Sequence, residues 1–311
     1  LELTVWQRVR LELLDLLELV LLPGLAAVLP WPWCFALFKR MARWQWLYRA
    51  ECESALRQAR QRGWSGVDEV HWLWGRRLVT LVDHADLYLV KTRTDAWVKR
   101  YFGIEGTWPV PDHAALLCTF HWGAGMWSLR HAASAGLKIH ALVAPLEGAQ
   151  FAGRRVLHGY AKARISTVAS ILGHPTLDVS ANMRPALRAL KEKDQLLAVV
   201  DVPADHVSAT QEIQLLGMKA RVPRALFRFA VEQAIPVTVF LVGLRTDDGQ
   251  RILRLLSLGV YQEVDALICD VYVELERVIA EFPAAWHFWG ESERIFETVE
   301  SGVPVKPGTQ E

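Results

Sequence analysis

The sequence has little cysteine. Cys34, Cys52, Cys118 and Cys269 are the only four in 311 residues, and no two stand in a C-x-x-C spacing. A disulfide framework, a dithiol redox motif and a thiolate zinc site are therefore not expected, and the four read as reduced structural thiols of a cytosolic compartment. Other patterns are missing too. Without G-x-S-x-G there is no nucleophile elbow, and without G-x-x-x-x-G-K there is no phosphate-cradling loop. Without H-E-x-x-H or a clustered His/Cys set there is no metal signature, so no metal and no cofactor is implied. Charge of one sign is not in excess: 35 basic against 34 acidic residues leave +1, which removes the electrostatic footprint of a nucleic-acid partner.

Hydrophobic residues are plentiful instead, at 52% of the chain against 22% charged, with 14 tryptophans. Tryptophan suits places where an apolar body meets a polar edge, such as a membrane interface, as well as an ordinary large core. The apolar character is densest at residues 1–50. No charge occurs from Leu19 to Phe38, a stretch about as long as a bilayer-spanning helix. Pro23, Pro30 and Pro32 interrupt it, however, and Glu12, Asp15 and Glu18 stand just before it. Lys39, Arg40 and Arg43 follow, among Trp31, Trp33, Trp44 and Trp46. Apolar body, tryptophan belt and basic edge together suggest a helical segment lying in an anionic membrane face. A helical hairpin packed on the rest of the protein fits the same pattern. The positive charges lie mostly after the apolar run, unlike a cleaved signal peptide.

Residues 45–104 read as helical, with a stop at Gly63, and "FGIEGTWPVPDH" reads as a loop. From residue 114 the pattern changes. Ala114–Phe120, Lys138–Val143, Gln195–Val200 and Pro236–Val242 are short continuous apolar runs, which suit strands buried on both faces. Helical stretches alternate with them: 125–135, part of 151–172, 182–193 and 223–233. This alternation predicts an α/β domain over residues 51–300, with a mainly parallel central sheet flanked by helices. "RILRLLSL" is expected to add an edge strand. Val264, Leu267, Ile268, Val271, Leu275 and Val278 make the apolar stripe of a late helix. Residues 301–311 read as a loose tail.

Attention falls on "LLCTFHWGAGMWSLR", residues 116–130, where an apolar run ends in His121 and two glycines lead into a helix. In an open parallel sheet, ligands bind beyond the carboxyl ends of the strands. An imidazole there is placed to take a proton from a hydroxyl or amine near neutral pH. "GAGMWS" also has the outline of a dinucleotide fingerprint, with Glu147 further on. Trp122, Met126 and Trp127 crowd the turn where a pyrophosphate needs open backbone, and serine replaces the last glycine.

"TFHWGAGMW" resembles the lysophospholipid acyltransferase superfamily, in particular its lipid A biosynthesis (lauroyl/myristoyl) acyltransferase branch. In that branch a strand ends in H-x-x-x-x-D/E, and His121 and Gly123 match the histidine and a glycine two residues later. Further stretches match in order. "LVAPLEGAQFAGRRVLHGYAKARI" leads to the family's arginine, here Arg164. "LLAVVDVPAD" holds its aspartate, here Asp201. "LLGMKARVPRALFRFAVEQAIPVTVFLV" follows the family's glycine, helix and strand. "EFPAAWHFWGESERIF" resembles its closing element, with Pro283, Trp286 and Trp289. The resemblance covers most of the chain. It implies acyl transfer from an acyl-carrier-protein or acyl-CoA thioester to a lipid or glycolipid acceptor, with His121 as general base. It also implies a bacterial protein on the cytoplasmic face of the inner membrane, peripheral or N-terminally anchored.

One departure matters. The family's acid position is Met126, which can neither orient nor neutralise an imidazolium. Three alternatives stay open. Another carboxylate pairs with His121, Asp201 first and Glu147 second, each following a predicted strand. Or His121 works alone. Or the fold is kept for binding lipid or a partner protein without catalysis. Gly123, Arg164, Arg221 and Arg224 are candidate substrate contacts. Arg221, Arg224 and Arg228 share one helix face, suited to a phosphopantetheine, a carrier protein or a lipid phosphate, and equally to a solvated surface.

Overall fold

The computed structural model describes residues 4–143, 151–178, 184–203 and 209–297. Three helices open the chain: α1 (Val5–Asp15), α2 (Leu22–Val28) and α3 (Trp31–Met41). A π-helical turn, Leu16–Leu21, joins the first two. Thr4 starts α1 in a reciprocal capping box with Gln7. Leu29 adopts extended backbone before Pro30, as the residue ahead of a proline should, and this breaks the apolar run between α2 and α3. Among the described residues no helix is long and apolar enough to cross a membrane.

Then come α4 (Arg49–Gln61), α5 (Glu69–Thr92) and α6 (Asp95–Tyr101). Asp68 and Thr94 cap the last two by accepting the N–H groups of His71 and Trp97. The alternating part follows: β1 (Phe102–Glu105), β2 (Ala115–Thr119), α7 (Met126–Ser134), β3 (Ile139–Val143), α8 (Arg155–Leu172), β4 (Leu177–Asp178), α9 (Arg184–Lys191) and β5 (Gln195–Val199). A hairpin of β6 (Thr210–Leu215) and β7 (Met218–Pro223) precedes α10 (Ala225–Glu232), β8 (Val237–Leu244), β9 (Arg251–Gly259) and α11 (Val264–Glu281). Two short 3₁₀ segments, Pro283–Ala285 and His287–Arg294, complete the described fold.

The α/β architecture expected from the alternating runs is present. Seven strands form one sheet in the order β1-β9-β8-β2-β5-β3-β4. From β8 to β4 all neighbours are parallel; β9 runs antiparallel to β8, and β1 follows β9. Two local expectations need correction. "RILRLLSL" lies inside the sheet as β9 instead of at its edge. The loop expected at residues 102–113 begins with a strand, because Phe102–Glu105 pair with Arg251–Arg254. The β6–β7 hairpin was not anticipated. Its exposed faces are polar, which leaves no apolar run to see.

Ala26, Trp31, Cys34, Phe35, Phe38 and Met41 belong to the same core as the sheet, so the opening helices are docked on the α/β unit. A buried polar knot fixes them. Arg251 of β9 forms an ion pair with Asp86 of α5 and stacks its guanidinium 4.3 Å from the Trp31 ring. The Trp31 indole donates to Gly249 O at 3.2 Å. Gly249 sits at φ +77°, and a Cβ there would lie 2.7 Å from the Phe35 ring, so only glycine fits. His84 of α5 makes a second tie, its ring stacked between Tyr48 and Tyr160 at centroid distances of 5.4 and 5.1 Å.

Burial pushes the His84 imidazole down to about 4, against the pull of Asp83. An imidazole depressed on folding binds fewer protons than in the unfolded chain between about pH 6.5 and 4. Its contribution to stability is full above the unfolded value and is lost as pH falls through that window. The variant His84→Phe keeps a stacked ring and removes the titration. Its stability relative to the parent should therefore rise as pH drops from about 6.5 toward 4. Denaturant unfolding at several pH values measures the difference, and a difference flat in pH would count against this account.

Candidate active site

Strands β2 and β5 pair in parallel with Thr119 opposite Val199. The ladder extends one step further, Val200 donating its N–H to Thr119 O at 2.9 Å. Equal advance along both strands brings His121 and Asp201 out of the sheet side by side. His121 Nδ1 lies 2.9 Å from Asp201 Oδ1. The His121 backbone N–H also donates to the same carboxylate, at 3.1 Å to Oδ1 and 2.9 Å to Oδ2. The Asp201 side chain is 1% exposed and that of His121 38%. A carboxylate accepts, so Nδ1 carries the hydrogen, and Nε2 is the ring nitrogen left for a substrate. The Phe288 ring packs on the imidazole at 4.1 Å between centroids.

The turn after His121 is shaped by close approach. Gly123 has φ +74°, and a Cβ on it would fall 1.9 Å from Val242 O. Its N–H donates to Ala285 O at 3.1 Å, and that of Ala124 to Val242 O at 3.2 Å. Two peptide donors of the turn, those of Gly123 and Ala124, are thus committed to carbonyls, which argues against the dinucleotide reading of this turn. Gly123, a candidate substrate contact from the sequence, has the bare backbone that this approach of β8 requires.

Met126 opens α7 and is 4% exposed. It packs with Leu19 from the opening helices, Leu87 and Val90 of α5, and Tyr160 of α8. The position where the resemblance places a carboxylate is therefore an apolar joint, and the carboxylate that meets the His121 ring is that of Asp201, beyond β5.

The other candidates are distributed as follows. Glu147 lies outside the described residues. Arg164 is paired with Asp83 at 2.7 Å and donates to the Tyr160 hydroxyl at 3.2 Å. Burial alone would push the Asp83 carboxyl up, but Arg164, with His287 and His84, outweighs it and brings the group to about 2. Arg221 pairs with Glu297 at 3.1 Å, and Arg224 with Asp265 at 2.6 Å. Lys219 and Arg228 likewise meet Glu212 and Glu232, so this basic set is neutralised by neighbours. An open apolar cleft of about 420 Å³, lined by Trp108, Pro109, Val110 and Leu255, lies at the carboxyl end of α7, away from His121.

Sequence reasoning missed His287, Phe288 and Arg76. His287 donates its N–H to His121 O at 2.7 Å and its Nε2–H to Gly123 O at 2.8 Å. Burial, aided by Arg76, pushes the His287 imidazole down to about 4, so it is neutral at physiological pH. The fully buried Arg76 donates to Trp286 O at 2.7 Å and His287 O at 3.0 Å. The one signal available was a histidine inside the aromatic stretch "WHFW". No family model matches the chain, and no curated protein matches it in sequence.

The surroundings of Met126 fix the outcome of restoring the expected acid. Met126→Glu places a carboxylate in the apolar joint formed by Leu19, Leu87, Val90 and Tyr160. That should cost roughly 3 kcal/mol or more in unfolding free energy without raising any activity that depends on His121. Denaturant unfolding with parallel activity measurement checks both parts, and a stable variant with higher turnover would refute the assignment of the acid to Asp201.

Proposed function

We propose that the protein is an acyltransferase, moving an acyl chain from an acyl-carrier-protein or CoA thioester to a hydroxyl or amine of a lipid or glycolipid. The observation that carries this reading is the buried Asp201 carboxylate hydrogen-bonded to Nδ1 of a partly exposed histidine at the carboxyl edge of a parallel sheet. A histidine oriented by a carboxylate is the arrangement that general-base catalysis of acyl transfer requires. The order of motifs along the chain supports the same reading.

In the proposed step, Nε2 of His121 removes the proton from the acceptor hydroxyl as its oxygen attacks the thioester carbonyl. A carbon–oxygen bond forms and the carbonyl π electrons move to oxygen. Collapse of that intermediate breaks the carbon–sulfur bond, and the imidazolium returns its proton to the departing sulfur. Asp201 balances the charge on the ring while it holds the proton. The products are an ester and a free thiol, so no other co-reactant is needed.

The reading includes a peripheral site of action. Trp6 and Trp33 are 82% and 74% exposed, and Val5, Leu13, Leu21 and Val28 are also exposed on the opening helices. Arg8, Arg10, Arg40 and Arg43 are exposed beside them. An apolar surface bordered by arginines suits the interface of an anionic bilayer.

Purified protein supplied with an acyl-carrier or acyl-CoA donor and a lipid acceptor should release free thiol. His121→Ala should abolish release. Asp201→Asn should lower it by about four orders of magnitude if the acid matters as it does in a catalytic triad. Undiminished release from His121→Ala would refute the role of the base. A parent protein that binds lipid without thiol release would favour the non-catalytic alternative. For the membrane part, the protein should float with phosphatidylglycerol vesicles. The double variant Trp6→Glu/Trp33→Glu should remain in the aqueous fraction; flotation equal to the parent would sink this assignment.

A further inference from the structure

We propose that Trp286 completes the site as a positioning residue: its indole N–H locks the Asp201 carboxylate and thereby holds His121 in the Nδ1–H tautomer. The consequence for turnover rests on the acyl-transfer reading, whereas the consequence for the tautomer does not.

Trp286 Nε1 donates to Asp201 Oδ2 at 2.8 Å, and both side chains are buried. Among the described residues, Oδ2 otherwise receives only the His121 backbone N–H, at 2.9 Å. Oδ1 faces the imidazole. The indole therefore decides which oxygen is left for the ring. Without it, one oxygen of a desolvated carboxylate would hold a single donor, and rotation of the carboxylate would exchange the two oxygens between ring and turn. Neighbouring tryptophans make the contrast plain. Trp122 donates to Phe282 O at 3.3 Å and Trp289 to Pro283 O at 2.7 Å, both backbone carbonyls. Trp286 alone of these three is aimed at a charged group, where a hydrogen bond is worth about twice as much.

The indole is itself held in place. Trp286 packs edge-on against Trp289 at 4.9 Å and bridges to Trp122 through its backbone. Arg76 fixes its carbonyl from α5. The next residue, His287, grips the His121 carbonyl with its N–H. Consecutive residues of one short segment thus hold both members of the dyad, Trp286 the acid and His287 the backbone of the base. A displacement of either would change the distance between the two, which is the quantity a hydrogen bond between ring and carboxylate is sensitive to.

Two replacements in the full-length protein test this. Trp286→Phe removes the donor and some volume. Incorporation of β-(benzothiophen-3-yl)alanine at 286 replaces the N–H by sulfur in a side chain of the same shape. Imidazole ¹⁵N chemical shifts of His121, assigned with His121→Gln, report the tautomer directly. In the parent they should give a protonated Nδ1 and a bare Nε2. In both variants they should move toward the averaged values of two exchanging tautomers. In the thiol-release assay kcat should fall roughly 10- to 100-fold with KM unchanged, the loss of one charge-assisted hydrogen bond. Trp289→Phe, which loses an indole bond to a carbonyl, should leave the His121 shifts where they are. Parent-like His121 shifts in the benzothiophene variant, with its folding intact, overturn the proposal. A parent without turnover but with the expected shifts and their change leaves the positioning role standing and removes the acyl-transfer reading.

Discussion

The site depends on the register between two adjacent parallel strands. Thr119 opposite Val199 sets the positions of all that follow on both strands, and the pairing of His121 with Asp201 is its direct product. Displacement by one residue would turn one of the two side chains to the opposite face of the sheet. The register is in turn enforced from below: β2 and β5 are buried on both faces, and their apolar side chains would have to re-sort in the core before the strands could slide. The His121–Asp201 pair is thus placed by packing, and its own hydrogen bond does not have to do that work.

Around this pair the protein uses backbone more than side chains. The turn after His121 is held by carbonyls of Val242 and Ala285, and the segment behind it by Arg76 and His287. Arg76 is fully buried and His287 partly so, and their value lies in fixing geometry more than in stability. Arg164 belongs to a network with Asp83 and Tyr160 that joins α8 to α5. The opening helices reach into the same region through Leu19 and Met126, so a surface suited to lipid and the start of α7 share one apolar joint.

Much of this was legible in the sequence. Short apolar runs gave the strands of the parallel part because two-sided burial leaves a continuous signature. The ends of two runs, His121 and Asp201, stood out because a charged or titratable residue directly after such a run has to lie at a sheet edge. Strand order was not legible, since nothing in the residues of β2 states that β5 is its neighbour. The hairpin β6–β7 and strand β1 escaped because exposed positions interrupt each of them and leave no continuous apolar run. His287 and Arg76 escaped for a different reason: their side chains meet backbone carbonyls 164 to 211 positions away, and side-chain chemistry does not record where a backbone carbonyl will lie. Phe288 escaped because nothing in its own residue type states which ring it will pack on. Met126 was read as a missing acid. Only its neighbours identify it as a packing residue.

The position of Trp286 in the chain has a consequence for how the protein is made. All seven strands of the sheet precede it, so during synthesis His121 and Asp201 can be brought together before the indole and the Arg76-anchored segment are available. The histidine of a nascent chain therefore has its partner but not its brace. The indole–carboxylate bond is made last, by the docking of a dozen residues that contribute almost nothing to the sheet itself.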